Sequence, residues 1–311
     1  MGRNSLFGPI DPATDAGYED PPPRKGFFTD TSVCIGCKAC EVACKEWNGV
    51  PDDGFNLLGH SYDNTGGLSA NSWRHVAFIE QPAVDALAEA GNGHGNGNGN
   101  GQTQFLGMPM SDLPGRVLDA PRTDFRWLMM SNVCKHCTHA GCLYVCPTGS
   151  LFRTEFGTVV VQDDICNGCG YCIPACPYGV IDRREEDGRA WKCTMCYDRL
   201  GDGLTPACAK ACPTESIQYG DLDELRERAE ARVAALHERG VESAKLYGAD
   251  QDDGVGGDGA FFLLLDEPEV YGLPPDPVVT TKDLPAMWKR AGWASLVMVG
   301  AAVAAFVGGR R

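Results

Sequence analysis

The stretch from Cys166 to Pro177 reads CNGCGYCIPACP, with four cysteines at the spacing C-x2-C-x2-C-x3-C and a proline directly after the last. The same cysteine spacing runs from Cys34 to Cys44. Two further groups lengthen the middle interval, to four residues in one group and eleven in the other. All sixteen cysteines of the chain fall into these four groups: Cys34, Cys37, Cys40 and Cys44; Cys134, Cys137, Cys142 and Cys146; Cys166, Cys169, Cys172 and Cys176; Cys193, Cys196, Cys208 and Cys212.

This spacing is typical of ligands for a [4Fe–4S] cubane, which takes one thiolate on each of its four irons. A C-x2-C-x2-C loop wraps the chain around three corners of the cube, and the fourth cysteine usually reaches the other cluster of a pair. Pro147, Pro177 and Pro213 each follow a last cysteine, where a residue that fixes φ suits a chain that turns away. The four groups therefore predict ligands for four [4Fe–4S] clusters.

Two other interpretations of the cysteines stay open at this point. A disulfide framework also uses an even number of cysteines, although three cysteines within seven residues are poorly placed to find separate partners. Zinc takes four thiolates, usually from two separated C-x2-C pairs, and the group from Cys193 to Cys212 fits that pattern when taken alone. The repeated ferredoxin spacing with its proline favours iron–sulfur ligation over a zinc- or disulfide-stabilised interaction module.

The charge of the chain excludes one class of partner. Its 311 residues include 27 basic and 42 acidic ones, which gives a formal net charge of −15. Each oxidised cubane with four thiolates carries about −2, so four clusters would bring the total to about −23. Such a chain repels phosphate groups and has no basic stripe, so we expect no nucleic-acid partner.

The C-terminal region predicts a membrane anchor. Ala291–Gly309 contains no charged residue and, as a helix, would span about 28 Å, close to the thickness of a hydrocarbon core. Two basic residues flank it on each side, and Trp288 and Trp293 stand where an aromatic belt is expected. We expect residues 288–311 to cross the lipid bilayer once. Because the flanking charges are balanced, they do not predict the orientation.

Composition divides the rest of the chain into segments. Groups two and three begin 32 residues apart, as in one two-cluster ferredoxin unit, and groups one and four would form a second unit. The predicted fold class is α+β, with two ferredoxin-like two-cluster units, long insertions and one C-terminal transmembrane helix. The predicted segments are a polar N-terminal arm (1–29), the first cysteine group with an insertion (30–133) that includes a flexible Gly/Asn loop (91–101), a ferredoxin-like core (134–220), a helix with an extended proline-rich segment (221–287) and the anchor (288–311).

Periodicity adds four secondary-structure predictions. Short apolar runs predict strands at Val76–Ile79, Phe156–Val161 and Phe261–Leu265. A helix is predicted from Asp221, which can cap it, to Gly240, which ends it. The polar, proline-rich start of the chain has no apolar run, so we expect no signal peptide there.

The order of the four groups resembles the four-cluster electron-transfer subunits of molybdopterin oxidoreductases and, more narrowly, the beta subunit of respiratory, membrane-bound formate dehydrogenase. The segments that carry this resemblance are DTSVCIGCKACEVACKEWN (Asp30–Asn48), YDNTGGLSANSW (Tyr62–Trp73), CNGCGYCIPACPYG (Cys166–Gly179), WKCTMCYDRL (Trp191–Leu200), PACAKACPT (Pro206–Thr214) and YGLPPDP (Tyr271–Pro277). The resemblance implies a pairing in which the last cysteine of each group crosses to another cluster. The implied ligand sets are Cys34, Cys37, Cys40 with Cys212; Cys193, Cys196, Cys208 with Cys44; Cys134, Cys137, Cys142 with Cys176; and Cys166, Cys169, Cys172 with Cys146.

The resemblance also implies partners. A catalytic alpha subunit with a molybdenum or tungsten pterin would oxidise formate, and a cytochrome b-type gamma subunit in the membrane would reduce quinone, so this chain needs no catalytic residue. It implies export together with the alpha subunit, which places the cluster domain on the outer, periplasmic-side face of the cytoplasmic membrane; the cytoplasmic face is the alternative. The alternative functions are the beta subunit of a membrane-bound hydrogenase or of another molybdopterin oxidoreductase, such as a sulfoxide, tetrathionate or polysulfide reductase.

Overall fold

The structure is a computed structural model that describes residues 16–54, 62–63, 65–81, 104–105, 108–109 and 126–308. The Gly/Asn run at 91–101, predicted to be a flexible loop, lies outside these residues. The described strands are β1 (Lys25–Asp30), β2 (Arg74–Gln81), β3 (Gln104–Phe105), β4 (Met108–Pro109), β5 (Arg126–Val133), β6 (Leu151–Arg153), β7 (Val159–Val161), β8 (Asp182–Arg183), β9 (Ala190–Trp191), β10 (Ile217–Asp221), β11 (Lys245–Tyr247) and β12 (Ala260–Leu264). The described helices are α1 (Ala39–Asn48), α2 (Gly141–Tyr144), α3 (Cys172–Ala175), α4 (Tyr197–Gly201), α5 (Ala207–Lys210), α6 (Leu222–Glu238) and α7 (Leu284–Gly308).

A four-stranded sheet in the order β10-β1-β12-β11 divides the core into two layers. Strand β1 runs antiparallel to β10 and parallel to β12. Because successive side chains point to opposite faces of a strand, Phe28 and Phe261 pack against α6 on one face, while Phe27 and Phe262 face the cysteine-rich loops on the other. The sheet is thus the wall on which those loops are built.

The predicted polar arm over residues 1–29 is wrong at its C-terminal end. Residues 25–29 belong to β1, in which Phe27, Phe28 and Thr29 are fully buried. Phe27 and Phe28 are two adjacent apolar residues at the end of a polar, proline-rich stretch, and a pair is too short to give a periodic signal. Their burial depends on β10 and β12, which come from the other end of the chain.

Helix α6 confirms the predicted helix but not its cap. The helix starts at Leu222, and Asp221 occupies the N-cap position without a side-chain capping bond. The carboxylate of Asp221 pairs instead with Lys25, its cross-strand neighbour between β10 and β1. Gly240 follows the end of the helix in the left-handed region, with φ of +82°, as expected for a C-terminal glycine.

Two antiparallel strand pairs support the cysteine loops. The predicted strand at Val76–Ile79 is confirmed as part of β2, which pairs with β5 along eight residues. Strand β5 ends at Val133, directly before Cys134. The predicted strand Phe156–Val161 begins only at Val159, because Gly157 turns the chain with φ of +73° between β6 and β7. The predicted strand Phe261–Leu265 is observed one residue earlier, as β12.

The C-terminal region ends in one long helix. The expected extended segment contains a 3-10 turn at Pro268–Tyr271, and α7 begins at Leu284, before the predicted anchor start. Ala286–Gly308 has a mean hydropathy of 1.8, and none of its apolar window is buried. An apolar helix with no protein cover fits a membrane span.

We expect Phe28→Ala to destabilise the fold by about 3–5 kcal/mol, because it opens a cavity between β1 and α6 where Phe28 stacks on Phe261. Thermal unfolding under anaerobic conditions measures this loss. Val278→Ala is the control, since that side chain is exposed and its removal should change stability by no more than about 0.5 kcal/mol. Equal melting temperatures for the two variants would contradict the burial of β1.

Candidate metal centres

The four C-x2-C loops share one backbone conformation. The residue before the second cysteine lies in the left-handed region in every group, with φ of +65° at Gly36, +47° at His136, +69° at Gly168 and +58° at Met195. Two of these residues are not glycine, and positive φ is uncommon for such residues. The turn directs backbone N–H groups towards the cysteine sulfur, as at Cys193, whose Sγ lies 3.3 Å from the Met195 nitrogen. The same anion-binding loop is therefore built four times.

Long-range folding brings the sixteen cysteines together in four sets of four, here named sets A to D. Each set combines three cysteines of one group with the last cysteine of another. The sets are A (Cys34, Cys37, Cys40 and Cys212), B (Cys44, Cys193, Cys196 and Cys208), C (Cys134, Cys137, Cys142 and Cys176) and D (Cys146, Cys166, Cys169 and Cys172). The four cysteines of set A, of set C and of set D each line one shared cavity.

The arrangement of donors fits a cluster better than it fits a single ion or a disulfide. All sixteen cysteines are unpaired. In the part of the chain that the structure describes, which includes every cysteine, no three His, Cys, Asp or Glu side chains converge closely enough to hold one metal ion. Zinc requires four sulfurs about 2.3 Å from one centre, whereas a cubane is held by thiolates at its outer corners. Four cysteines around a shared cavity match the second arrangement.

Several sulfur atoms have a polar neighbour, and such contacts help to set the potential of a cluster. The pairs are Cys40 Sγ with Ser131 Oγ (3.2 Å), Cys166 Sγ with the Ala190 nitrogen (3.5 Å), Cys146 Sγ with Thr148 Oγ1 (3.7 Å) and Cys212 Sγ with Thr214 Oγ1 (3.8 Å). Thr148 and Thr214 both belong to a Cys-Pro-Thr sequence, so the proline turn positions the hydroxyl group. The sequence predicted a role for the proline but not for the threonine, although the repeated Cys-Pro-Thr tripeptide carries that signal.

Burial raises the pKa of several cysteine thiols, so these thiols are protonated near neutral pH. It raises the pKa of Cys142 and Cys193 to about 12 and that of Cys208 to about 11. The pKa of Cys146 is lowered, because hydrogen bonds from the backbone of Leu151 and from Thr148 outweigh its burial. Metal ligation requires thiolates, so a cluster held by these cysteines would have to displace protons.

The four sets follow one another in the order A, B, C, D. Neighbouring sets contain cysteines that lie near enough for their charges to interact. These pairs are Cys40 and Cys208 between A and B, Cys134 and Cys193 between B and C, and Cys142 and Cys172 between C and D. Cys37 in set A and Cys169 in set D are exposed, whereas every cysteine of set B is buried. The series therefore reaches the surface at both ends and is covered in between.

Buried cations accompany the cysteines and were missed by sequence analysis. Lys135 and Lys192 are almost completely buried and adjoin Cys134 and Cys193 in sequence. Lys135 donates to the carbonyl of Val133 at 2.9 Å, and burial lowers its pKa to about 8. The available signal was a lysine directly beside the first cysteine of a group, as in Cys134-Lys135 and Lys192-Cys193. These positive charges offset the negative charge that thiolate-bound clusters bring into the core.

Comparison with known proteins agrees with this geometry. Residues 33–150 and 125–222 each match a 4Fe-4S dicluster domain. With the four cysteine sets, these matches define the class: an iron–sulfur protein with two dicluster domains of the ferredoxin type. The predicted α+β fold, with ferredoxin-like units and an apolar C-terminal helix, is confirmed.

The relatives narrow the class to a family. The iron–sulfur subunit of the nitrate-inducible formate dehydrogenase of Escherichia coli is 38% identical over 266 residues, which are 84% of this chain and 76% of that protein. The formate dehydrogenase iron–sulfur subunit of Haemophilus influenzae is 38% identical over 254 residues, covering 80% and 68%. The B subunit of the anaerobic dimethyl sulfoxide reductase of Escherichia coli is 32% identical over 204 residues, covering 65% and 76%. The chain belongs to the family of formate dehydrogenase iron–sulfur subunits, which are electron-transfer subunits.

We expect Gly168→Ala to deplete set D of iron, with a loss of about a quarter of the total if each set holds one cubane. A Cβ at Gly168 would lie 2.3 Å from the Gly188 carbonyl oxygen, in addition to the strain of φ at +69°. Gly179→Ala is the matched control, because Gly179 has φ of +61° and nothing within 4 Å of the added atom. Iron analysis and visible absorbance measure the result. Equal iron content in the two variants would contradict the close approach.

Proposed function

We propose that each of the four sets holds one [4Fe–4S] cluster and that the chain relays electrons from formate oxidation to a membrane quinone. The electron source would be a catalytic alpha subunit with a molybdenum or tungsten pterin, and the acceptor a cytochrome b-type gamma subunit. The observation that carries this proposal is the unbroken series A to D, with exposed cysteines only at Cys37 and Cys169. The similarity to formate dehydrogenase subunits over most of the chain supports the substrate.

The residues of the chain would have three roles: they would hold the clusters, adjust their reduction potentials and exclude water. Sixteen thiolates hold the clusters, which supply one-electron redox chemistry when bound. Hydroxyl and amide groups beside the sulfurs and the buried lysines adjust the potentials. The apolar layer around sets B and C, formed by side chains such as Val133, Met195 and Phe262, excludes water from the middle of the series.

Set D would be the end nearer the membrane. A Cβ added to Gly141 in α2 would lie 3.4 Å from Val279, which is buried five residues before the start of α7. Helix α2, which carries Cys142, therefore lies against the segment that leads into the apolar helix. Helix α3, which carries Cys172 of set D, packs on α2, since the same added Cβ would lie 2.5 Å from the Ala175 carbonyl oxygen. Electrons would enter near set A and leave near set D.

The location follows from α7 and the implied partners. We propose a single-pass anchor in the cytoplasmic membrane, with the cluster domain on the outer face and the cytoplasmic face as the alternative. Because two basic residues flank each side of the apolar run, the positive-inside rule does not favour either orientation.

A second candidate is an electron-transfer subunit for a different catalytic partner. The similarity to the B subunit of dimethyl sulfoxide reductase supports this alternative. That similarity covers 65% of this chain, whereas the formate dehydrogenase subunits match 80% or more of it. Formate dehydrogenase is therefore the better-supported assignment.

Formate should bleach the cluster absorbance of the anaerobically isolated complex to the same extent as dithionite, because electrons from formate would reach all four clusters. Visible absorbance before and after each addition measures this. Bleaching by dithionite alone would keep the electron relay and reject formate as the source. A colourless preparation without iron would reject the clusters themselves.

Deletion of residues 291–311 should release the chain from membranes or stop electron transfer to quinone, while its iron content remains. None of the apolar window of α7 is buried, and all sixteen cysteines lie outside α7. Membrane fractionation, iron analysis and formate-to-quinone activity test this. A variant with an unrelated apolar helix in place of 291–311 is the control and should return to the membrane. Membrane retention with full quinone activity in the truncated chain would reject the anchor.

A further inference from the structure

Arg74 lies buried between sets A and B. It is the first residue of β2, and only 2% of its surface is exposed. Its Nη1 donates to Ser131 Oγ at 3.0 Å, and the same hydroxyl lies 3.2 Å from the Sγ of Cys40 in set A. The guanidinium carbon is 5.0 Å from the centre of the Phe27 ring, which closes its other side. The side chain is therefore held in one place.

The charge of this guanidinium has no acidic partner in the described part of the chain. Nε and Nη2 are buried and form no hydrogen bond there, and both bonds of Nη1 go to Ser131. Arg232, by contrast, has a carboxylate partner in Asp30 at 2.8 Å. A buried charge needs a counter-charge, since neither water nor a low-dielectric core offsets it here.

The groups near Arg74 that would become anionic on cluster ligation are cysteine sulfurs from two different sets. Those that act on its charge are Cys208, Cys40, Cys193 and Cys44, one from set A and three from set B. A thiolate-bound cubane is negatively charged, and reduction makes it more so. A fixed positive charge between two such centres stabilises the reduced state of both, because electrostatic interactions are strong away from water.

We propose that Arg74 is a shared redox-tuning residue that raises the reduction potentials of the clusters in sets A and B, with Ser131 linking it to Cys40. This inference rests on the proposed function, since it requires a cluster in each of the two sets. In this inference, the Arg74 side chain helps to set the reduction potentials of both set A, near which electrons would enter, and the buried set B that follows it. None of the cysteines named above as acting on its charge belongs to set C or set D.

The test is a potentiometric titration of the anaerobically isolated full complex, followed by EPR spectroscopy and iron analysis. In Arg74→Met, we expect two of the four midpoint potentials to shift to more negative values while the other two stay unchanged. Arg74→Lys keeps the charge and should shift the same two potentials by less. Arg126→Met is the matched control: Arg126 lies at the opposite end of the same strand pair and donates to the Leu265 carbonyl, so no potential should move.

Ser131→Ala provides a smaller change, in case Arg74→Met fails to assemble. It removes the hydroxyl between Arg74 and Cys40 but keeps the guanidinium, so we expect one potential, that of set A, to move. Four unchanged potentials in a fully loaded Arg74→Met or Ser131→Ala protein would overturn the inference, as would an equal shift of all four. Too few clusters in the unaltered protein would instead reject the proposed function, so the two failures are distinguishable.

Discussion

The pairing of β1 with β10 is the constraint on which the arrangement of the cysteines depends. Thr29 of β1 stands opposite Ile217 of β10, five residues before Cys34 and five residues after Cys212. Because the strands are antiparallel, the segment after β1 and the segment before β10 lie at the same end of the strand pair. Two cysteines 178 residues apart are therefore brought together there. The side chain of Ser216 donates to the Asp30 carbonyl at 2.7 Å and closes the pair. Set A is thus a consequence of strand register.

A core that binds clusters must reconcile burial with charge. Burial alone favours protonated thiols, as the pKa of about 12 at Cys142 illustrates. Ligation replaces the protons with iron and leaves a net negative charge inside the protein. The buried lysines and Arg74 lie where that charge would be, so protein and clusters are complementary: each would be costly to bury without the other. Assembly of the clusters and stability of the core are therefore coupled.

The features that the sequence predicted are those that depend on residues close together along the chain. Cysteine spacing predicted four groups, and periodicity predicted α6, β2 and β12, because these signals lie within a few residues. The spacing could not show which last cysteine crosses to which group, since that depends on the sheet. Asp221 occupies the predicted N-cap position, but its side chain makes no capping bond because it pairs with Lys25 on the neighbouring strand, which local sequence could not show. The role of Arg74 was not predicted for the same reason, since nothing in its local sequence distinguishes it from a solvated arginine at the end of a strand.

The two ends of the cysteine series also share a surface property. Exposed apolar side chains lie next to the exposed cysteine at each end: Ile35 and Val42 near Cys37, and Ile165 and Tyr171 near Cys169. Such side chains offer apolar contact area to a partner, and a contiguous exposed apolar patch is typical of an interface. A partner seated there would remove water from an end set and give it the same apolar cover that sets B and C have permanently. The middle of the series would always be shielded from water, whereas its ends would be shielded only when a partner is bound. Electron transfer would then be restricted to bound partners.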